Sequence, residues 1–540
     1  MFDQAPYAGR WVALIGSQVV GVGNTADEAE LAAKHIRPKE KPRIYFVEGE
    51  GGRKLPFSPL LEQLQPFLTE ELSPVYLVGG AVRDALLQRT SHDLDFVVAR
   101  DAINLSFRVA NALQVPAYIL DQKRETGRVI LADQATTLDF ARFRGSNLEA
   151  DLAARDFTIN ALAIPANAQT SQSIIDPTGG VQDLKQGLIR LTYQNAIRDD
   201  PVRSLRAVRL AAELGFEISG DTRSAILTTV SNLPNVSAER IRDELQKIIL
   251  SPHPAAALQQ LDELDLLQAT LPEIAALSGV AQSYPHDEDV FRHTLHVIDW
   301  LVRIERILLS QDSGEYDALV RVRTQFTPYL PQLKLYLQRA VHGGIDGRLI
   351  LRFGALFHDV GKSKTQSIAE DGRIRFFGHA AKGAVLAGVR LKQLCLSKDA
   401  VNQVKQIVAG HMRPLLLVQA QGGSPSRRAV YRYFRTTGQN GLDIGLLALA
   451  DHLATYDGPG ESEVWSKLVD LVTTLFKYYF EKHDEAVKPA PLLSGRDLIA
   501  LGIEQGPDIG RILRLIEEIQ AAGEISTREE ALEFARRQAL

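Results

Sequence analysis

The chain has 540 residues, with 61 lysines and arginines against 66 aspartates and glutamates, and this length predicts three or four domains of about 100–200 residues each. The net charge of -5 excludes a globally basic protein, so any nucleic-acid partner must meet local basic patches, and the lone Cys395 excludes an internal disulfide framework. No signal-peptide pattern and no run of about 18 apolar residues occurs, so we predict a cytoplasmic protein without membrane contact.

Residues 1–52 carry the pattern of a small unit. The stretch "RWVALIGSQVVGVG" alternates around a Gly-Ser turn, "TADEAELAAKHI" has a threonine start and a helical period, and "RIYFVEG" is typical of a strand. Together they predict a ββαβ extension, to which the sequence assigns no role.

Residues 55–195 alternate short apolar strands with helices, a pattern typical of an α/β layer. Within them, "YLVGGAVRDALLQR" at 76–89 predicts a buried strand, a glycine turn and a helix start. Backbone N–H groups at such a turn can receive phosphate oxygens, and an arginine adds charge-assisted bonds. We therefore predict that Gly79, Gly80 and Arg83 contact a phosphate group.

The next strand, "HDLDFVV", places Asp93 and Asp95 on one face because strand side chains alternate. Two such carboxylates repel each other unless a cation lies between them, and Mg²⁺ suits a few carboxylates that leave room for substrate phosphates. Asp139, in the strand-like "TTLDFARFR", is a third candidate catalytic carboxylate if its strand lies beside the first. The alternative is that these aspartates are merely exposed on strands.

From about residue 196, helical periodicity dominates, apart from a polar stretch at 310–347 that we interpret as an insertion or long connection. The segment "DDPVRSLR" opens this helical part. Asp200 is predicted to cap a helix, with Pro201 in its first turn and Arg203 on the same face as Asp200.

The Asp200–Arg203 pair has a chemistry that distinguishes bases. A carboxylate accepts from the exocyclic amino group of cytosine or adenine, and a guanidinium donates to the adjacent ring acceptor, whereas uracil and guanine would place a carbonyl against the carboxylate. The pair could thus select C and A. Without further context, the same residues indicate only a helix with solvated arginines.

A second group of metal-ligand residue types lies downstream, in "FRHTLHVIDW", "ALFHDVGK", "FFGHAAKG", "AGHMRP" and "LALADHLAT". Imidazole and carboxylate together suit a divalent metal. We expect a site for Mg²⁺, Mn²⁺, Ni²⁺ or Co²⁺. The predicted ligands are His293, His358, Asp359, His379, His411 and Asp451.

The segment "SPSRRAVYRYFRTTG" at 424–438 interleaves arginines with Tyr431, Tyr433 and Phe434. Arginines can contact phosphates and aromatic rings can stack on bases, so this segment is a candidate RNA contact. The alternative is an amphipathic helix with buried aromatic residues and solvated arginines.

Four motifs in order resemble class II tRNA nucleotidyltransferases and the related bacterial poly(A) polymerases. They are "LVGGAVRDALL...DLDFVV", "ARDFTINALAI" at 154–164, "DPTGGVQDLKQGLIR" at 176–190 and "DDPVRSLRAVRLAAELGF" at 199–216. The resemblance implies the following site residues: triphosphate contacts at Gly79, Gly80 and Arg83; Mg²⁺ ligands at Asp93 and Asp95; nucleotide contacts at Arg155, Asp156 and Asn160; base selection by Asp200 and Arg203; and a phosphate contact at Arg206.

The resemblance also implies the architecture. The chain is expected to be α+β, with a nucleotidyltransferase (polymerase beta-like) head on a small mixed sheet and a mostly helical remainder. The downstream histidines and aspartates resemble the HD phosphohydrolase superfamily, which implies an additional phosphohydrolase site. The expected domains are the extension at 1–52, the head at 55–195, a neck at 196–275, an HD-type domain at 276–460 and a tail at 461–540.

The implied activity is metal-dependent attack of a tRNA 3′-hydroxyl on the α-phosphate of CTP or ATP. CCA-adding relatives usually have a longer flexible segment where this chain has "GSNLEADLAA", and Ala154 replaces the first arginine of their "RRDFTIN". Addition of two cytidines and addition of the full CCA end therefore both stay open. Two alternatives are a poly(A) polymerase and an RNA-binding protein whose only chemistry is the HD site.

Overall fold

In a computed structural model of the chain, the structure describes residues 5–7, 10–16, 18–23, 26–47, 52–69, 71, 74–91, 93–131, 136–309, 317–460 and 462–539. The chain forms two compact units, Met1–Thr229 and Val230–Leu540. No helix in the described part of the chain combines the length and the apolar composition needed to cross a membrane.

The first unit begins with the predicted ββαβ extension. Its elements are β1 (Arg10–Ile15), β2 (Gln18–Gly23), α1 (Ala26–Ile36) and β3 (Arg43–Val47), and the antiparallel sheet has the order β2-β1-β3. Trp11, Ala13 and Ala33 are buried between this sheet and α1. A Cβ on Gly21 would lie 2.2 Å from the carbonyl oxygen of Ala29, so glycine is what lets the helix approach the sheet.

The head follows, built on one six-stranded sheet with the order β6-β7-β8-β5-β4-β9. Only the β5–β8 pair in it is parallel, so the sheet is mixed, as predicted. Phe96 and Phe140 are register partners of that pair and stack 4.9 Å apart in the core. The elements from residue 53 to residue 229 are α2 (Pro59–Thr69), β4 (Tyr76–Val78), α3 (Gly80–Leu86), β5 (Leu94–Val98), α4 (Ala102–Leu113), β6 (Ala117–Asp121), β7 (Thr126–Ile130), β8 (Thr137–Arg142), α5 (Leu148–Ala153), β9 (Ala163–Pro165), α6 (Gly180–Gln186), β10 (Leu188–Ile189), α7 (Ala196–Asp199), α8 (Arg203–Leu214), β11 (Glu217–Ile218) and α9 (Gly220–Thr229).

The second unit is helical, which agrees with the periodicity of the sequence. Two short hairpins, β12–β13 and β14–β15, are the strand pairs found in its described residues. Its elements are α10 (Ala238–Leu250), α11 (Pro254–Glu263), α12 (Leu266–Thr270), α13 (Pro272–Ala275), α14 (Val290–Leu309), α15 (Asp317–Phe326), α16 (Leu330–Leu337), β12 (Ala340–Val341), β13 (Ile345–Asp346), α17 (Gly347–Phe357), β14 (Ser367–Ile368), β15 (Ile374–Arg375), α18 (His379–Gln393), α19 (Lys398–Gly410), α20 (Arg413–Gln421), α21 (Arg427–Thr437), α22 (Gly441–Thr455), α23 (Ser462–Glu481), α24 (Gly495–Ala500), α25 (Pro507–Ala522) and α26 (Arg528–Ala539).

The interpretation of 310–347 as a long connection is wrong for most of its length. Residues 317–337 form α15 and α16, and β12–β13 follows, while 310–316 lie outside the described residues. Val322 and Phe326 are fully buried, so the polar residues of α15 occupy only its outer face. A polar composition concealed a regular amphipathic helix.

Helix α21 contains the candidate RNA contact, and its aromatic side chains face the interior. Tyr431, Tyr433 and Phe434 are each at most 3 % exposed, which leaves no ring face for a base. Arg432 instead donates to Glu518 of α25 at 2.5 and 2.9 Å. The amphipathic alternative is therefore the right one, and α21 is a packing helix against α25.

Candidate functional site

Three aspartates meet on one face of the head sheet. Asp95 on β5 and Asp139 on β8 are direct register partners in the parallel pair. Asp93 comes just before β5, and its Oδ1 accepts a hydrogen bond from Thr137 Oγ1 at 2.9 Å. Because Thr137 and Asp139 lie two residues apart on β8, their side chains share a face. The structure thus brings together the three predicted carboxylates.

The electrostatics of Asp95 indicate a place for a cation. Burial among protein atoms, together with the negative charges of Asp139 and Asp93, raises the pKa of Asp95 to about 6. The carboxylate itself remains open to solvent, so an ion can reach it. Neighbouring carboxylates on an accessible face fit the oxygen ligands that Mg²⁺ prefers.

Arg128 is a neighbour of this site that the sequence analysis missed. It is the register partner of Asp139 across β7 and β8, and its guanidinium forms a bidentate pair with that carboxylate, at 2.7 and 2.6 Å. The alternation in "TGRVI" is compatible with a strand, but only the cross-strand register shows which residue Arg128 faces. The sequence therefore contained no direct signal for it.

The glycine turn adjoins the carboxylates. Gly79 has φ of 76°, in the left-handed region that favours glycine, and α3 begins at Gly80. A Cβ on Gly79 would lie 3.2 Å from Arg155 Nη1 and 3.7 Å from Asp95 Oδ2. The turn, an arginine and a carboxylate are therefore in contact, which is the arrangement expected around a phosphate beside a metal.

Arg83 connects this turn to the beginning of the helical region. Its Nη1 donates to Asn160 Oδ1 at 2.7 Å, and Asn160 Nδ2 donates to Asp156 Oδ1 at 3.2 Å. Asp156 Oδ2 accepts from Arg206 Nη1 of α8 at 2.9 Å. Burial acts to raise the pKa of Asp156, but Arg206 outweighs it and holds that pKa below its usual value. Four predicted site residues thus form one chain of hydrogen bonds.

The expected capping by Asp200 is wrong. Helix α7 ends at Asp199 with Asp200 as its C-terminal capping residue, and α8 begins at Arg203, so Pro201 lies between two helices. The turn still joins the pair, because Arg203 N donates to the carbonyl oxygen of Asp200 at 3.0 Å. Tyr193, which the sequence analysis missed, accepts a hydrogen bond from Arg203 Nη1 at 3.2 Å and lies beneath its guanidinium.

The short connector between β8 and Arg155 is held firmly in place. Asn147 caps α5 by accepting from Ala150 N at 2.9 Å. Asp151, 1 % exposed, accepts from the backbone N–H of Arg144 at 3.0 Å and from Arg155 Nη2 at 2.9 Å. The connector is therefore a capped helix bound to Arg155, a predicted nucleotide contact.

The second unit brings the downstream histidines and aspartates into one cluster, which we call the HD cluster. Asp359 lies at its centre. Asp359 Oδ2 is 3.2 Å from His358 Nε2 and 3.9 Å from His293 Nε2. Asp359 Oδ1 is 3.4 Å from His379 Nε2 and 3.7 Å from His411 Nε2. Each oxygen of one carboxylate thus faces a different pair of imidazoles.

Asp451 of α22 completes the HD cluster. Its Oδ1 is 3.0 Å from His293 Nε2 and 3.9 Å from His358 Nε2. Burial acts to raise the pKa of Asp451, but the hydrogen bond and charge of His293 outweigh it and hold that pKa below its usual value. All six predicted ligands therefore lie in one cluster.

The imidazole orientations fit a metal. The Nδ1 atoms of His358, His379 and His411 lie 2.7–2.8 Å from backbone carbonyl oxygens, so each Nδ1 is the donor and each Nε2 points inward with a lone pair. The Nε2 atoms of His379 and His411 are 3.1 Å apart, and His358 Nε2 is buried without a hydrogen bond to any residue that the structure describes. Burial lowers the pKa of His411 to about 4, which keeps the ring neutral. Lone pairs that face one another in this way suit a cation between them.

Two further residues of the HD cluster were not foreseen. Lys362 Nζ lies 2.7 Å from Asp359 Oδ2 and 2.6 Å from Gln282 Oε1. His286 packs edge-on against His293, with ring centroids 4.7 Å apart, and burial lowers its pKa to about 4. Lys362 could have been found in "HDVGK", where it is a charged residue four positions after His358. His286 comes from a loop, and no motif in the sequence marks it.

Comparisons with known proteins cover nearly the whole chain. A family described as the poly A polymerase head domain matches residues 75–190, and one described as the probable RNA- and SrmB-binding site of polymerase A matches 215–277. A family of unknown function matches residues 4–50. A CC-adding tRNA nucleotidyltransferase of Thermus thermophilus is 33 % identical over 476 residues, covering 87 % of this chain and 94 % of the relative.

An A-adding tRNA nucleotidyltransferase of Deinococcus radiodurans is equally similar, at 33 % identity over 471 residues, 85 % of this chain and 94 % of the relative. Among solved structures, a CCA-adding enzyme without ligand has a TM-score of 0.54 at 20 % identity, over 88 % of this chain and 92 % of that one. The fold is therefore that of the CCA-adding enzymes.

Proposed function

The chain belongs to the tRNA nucleotidyltransferase family, and from this premise we propose that it adds two cytidines, and no adenosine, to the 3′ end of tRNA. Nucleotide transfer to tRNA 3′ ends is the activity for which the relatives are named. The number and kind of nucleotides are not common to those relatives, since CC-adding and A-adding proteins are equally similar to the chain. The product must be argued from the chain's own residues.

The observation that carries the CC product is the connector between β8 and Arg155. A switch from cytidine to adenosine requires the pocket to change shape, and a flexible segment gives the protein that freedom. Here the cap by Asn147 and the buried carboxylate of Asp151 fix the connector to the backbone and to Arg155. A fixed connector supports one pocket shape and therefore one base.

Each part of the head has a role in this transfer. We assign Asp93, Asp95 and Asp139 as the residues that would hold Mg²⁺, which when bound would help the tRNA 3′ hydroxyl to lose its proton and would offset charge on the leaving pyrophosphate. The turn at Gly79 and Gly80, together with Arg83, orients the triphosphate. The tRNA 3′ oxygen then bonds to the α-phosphorus of CTP while the bond to the β-phosphate oxygen breaks.

Base selection is assigned to the turn between α7 and α8. The Asp200 carboxylate accepts from the amino group of cytosine, and the Arg203 guanidinium donates to its ring acceptor. Tyr193 keeps that guanidinium in place through its hydroxyl and ring. Arg155, Asp156, Asn160 and Arg206 connect the turn to the triphosphate site.

The product is tested with a tRNA transcript that lacks its terminal CCA, incubated with CTP, with ATP or with both, and resolved at single-nucleotide length. We expect two additions with CTP and no further product when ATP is present. A tRNA that already ends in CC should not be extended with ATP. Three additions would show a CCA-adding enzyme, and a long A tract would show a poly(A) polymerase; either result contradicts the proposal.

A second function is favoured by the HD cluster, in which two groups of three ligands share Asp359: His293, His358 and Asp359 in one, and Asp359, His379 and His411 in the other. Two adjacent metals bridged by a carboxylate can activate water against a phosphate ester. We assign to this cluster a phosphohydrolase activity with Mg²⁺, Mn²⁺, Ni²⁺ or Co²⁺.

The test is hydrolysis of bis(p-nitrophenyl) phosphate by protein loaded with each ion. We expect turnover with at least one of the four ions and none after His358→Ala, while His342→Ala, an exposed histidine of the same unit, leaves turnover unchanged. Metal binding without turnover under any ion would restrict the cluster to a structural role.

A further inference from the structure

The three carboxylates of the head differ in their partners. In the described part of the chain, Asp139 alone of the three has a cationic side chain within ion-pair distance, and that partner, Arg128, engages both of its oxygens. Asp93 accepts from a threonine hydroxyl, and Asp95 faces the turn at Gly79. One of the three candidate ligands therefore has both oxygens occupied by the protein itself.

The sheet explains how this happens. Tyr118, Arg128, Asp139 and Asp95 are successive register partners on the neighbouring strands β6, β7, β8 and β5, so they form one row across the sheet. The Tyr118 hydroxyl also bonds with the Arg128 side chain. The register thus places a guanidinium directly beside the metal carboxylates, on the side away from the glycine turn.

The Arg128–Asp139 pair is also one that a metal can break. The two side chains retain 32 % and 18 % of their exposure, so separating them leaves neither charge fully buried. A part-exposed ion pair costs less to break than a fully buried one, and a divalent cation gains from each additional carboxylate in its shell. Metal and guanidinium cannot use the same two oxygens at once.

We propose that Arg128 is a positioning residue that competes with the metal ion for Asp139. In the free protein, Arg128 holds Asp139 and leaves Asp93 and Asp95 as the metal ligands. Asp139 joins the site only when Arg128 releases it, and the triphosphate of an incoming nucleotide is an anion that can draw the guanidinium away. This inference rests on the proposed nucleotidyltransferase function of the head.

The test is a double-mutant cycle on metal affinity, read by the electron paramagnetic resonance of Mn²⁺ titrated into nucleotide-free protein. To keep the HD cluster from contributing, all variants carry His358→Ala and His411→Ala. We expect Arg128→Gln to tighten Mn²⁺ binding roughly ten-fold when Asp139 is present, and to have no effect in an Asp139→Asn background. Arg128→Lys, which keeps the charge but loses the bidentate fork, should fall in between.

A matched control is Arg142→Gln, which removes a cation from the end of the same strand as Asp139, where it pairs with Glu125. It should leave Mn²⁺ affinity unchanged. If Arg128→Gln tightened Mn²⁺ binding equally with and without Asp139, the effect would come from the loss of a positive charge alone and the proposal would be overturned. Unchanged Mn²⁺ affinity in a folded Arg128→Gln protein would overturn it too. Failure of the proposed function would appear elsewhere, as absence of cytidine addition by the unmodified chain.

Discussion

The carboxylate site of the head and the HD cluster of the helical unit present candidate ligands for a divalent cation in different ways. In the head, strand register sets the ligands side by side on an open face, and Asp95 remains exposed to solvent. In the HD cluster the ligands are almost all buried, and backbone carbonyls fix the imidazoles. The first site leaves room for a substrate to complete the metal shell, while in the second the protein holds the candidate ligands in place before any substrate arrives.

The largest expected effect is a loss of cytidine addition when the carboxylate site of the head is changed and the HD cluster is left intact. Asp95→Ala should lower cytidine addition at least 1,000-fold, an estimate on the order of the loss seen when a main electrostatic contribution to a transition state is removed. The measurement is incorporation of labelled CTP into truncated tRNA. Hydrolysis at the HD cluster should not change.

The control for that variant is Asp101→Asn, an exposed carboxylate just after β5 whose left-handed backbone suits asparagine. It should retain full activity. Normal incorporation by Asp95→Ala would remove Asp95 from the mechanism.

The reciprocal change is His358→Ala. Because we assign this histidine as a direct metal ligand, its loss should lower metal affinity by more than the roughly 10–100-fold that follows removal of a residue that only orients a ligand. Metal content of purified protein by mass spectrometry is the measurement. Cytidine addition should stay normal, and a protein that keeps its full metal content would show that His358 is not a ligand.

The third prediction concerns the fixed connector of the head. Asp151→Ala leaves Arg155 without its buried partner and the Arg144 backbone N–H without an acceptor, which should lower the free energy of unfolding by about 3–5 kcal/mol. Glu149→Ala, an exposed change on the same helix, should shift it by less than about 0.5 kcal/mol. Urea denaturation measures both, and equal stabilities for the two variants would refute the role assigned to Asp151.

The smallest expected effect is a dependence of the free energy of unfolding on pH. Burial raises the pKa of Asp443 on α22 to about 6, although Arg339 and the Tyr336 hydroxyl act to lower it. Since the folded pKa exceeds the unfolded one, the folded state favours the protonated form. The stability that this pKa shift contributes is complete below pH 4 and is lost as pH rises from about 4 to about 6. The loss in the free energy of unfolding is up to roughly 3 kcal/mol.

Asp443→Asn removes this titration. The difference in unfolding free energy between the two proteins should therefore change between pH 4 and pH 6 and stay constant above pH 7. A difference that is independent of pH would mean that Asp443 titrates normally. Asp95 of the head reaches the same pKa through burial together with neighbouring carboxylates, so its titration should respond to added Mg²⁺ whereas the Asp443 effect should not.

The sequence predicted features that depend on local pattern. The glycine turn at Gly79, the strand with Asp95 and the His358–Asp359 pair each carry their chemistry within a few residues, so no knowledge of distant contacts was needed. The ββαβ extension followed from alternation and one helical period in the same way.

Features that depend on distant partners were not predictable. Arg128 faces Asp139 only because of the register between two strands, and the aromatic face of α21 looks the same whether it meets a base or α25. Asp200 was misplaced for a more local reason, because it directly follows α7 and caps the C-terminus of that helix instead of the N-terminus of the next one. In each case the arrangement was decided by a contact with a neighbouring helix or strand.

The parallel register of β5 and β8 also bears on how this head can change during evolution. Asp95 and Asp139 are 44 positions apart in the chain but opposite each other in the sheet, and everything between them is an excursion through α4, β6 and β7. Residues can be gained or lost in the turns of that excursion without moving either aspartate. One residue gained or lost inside β8 would turn Asp139 to the other face of the sheet. Length variation among descendants of this chain should therefore accumulate in the turns and spare the strands.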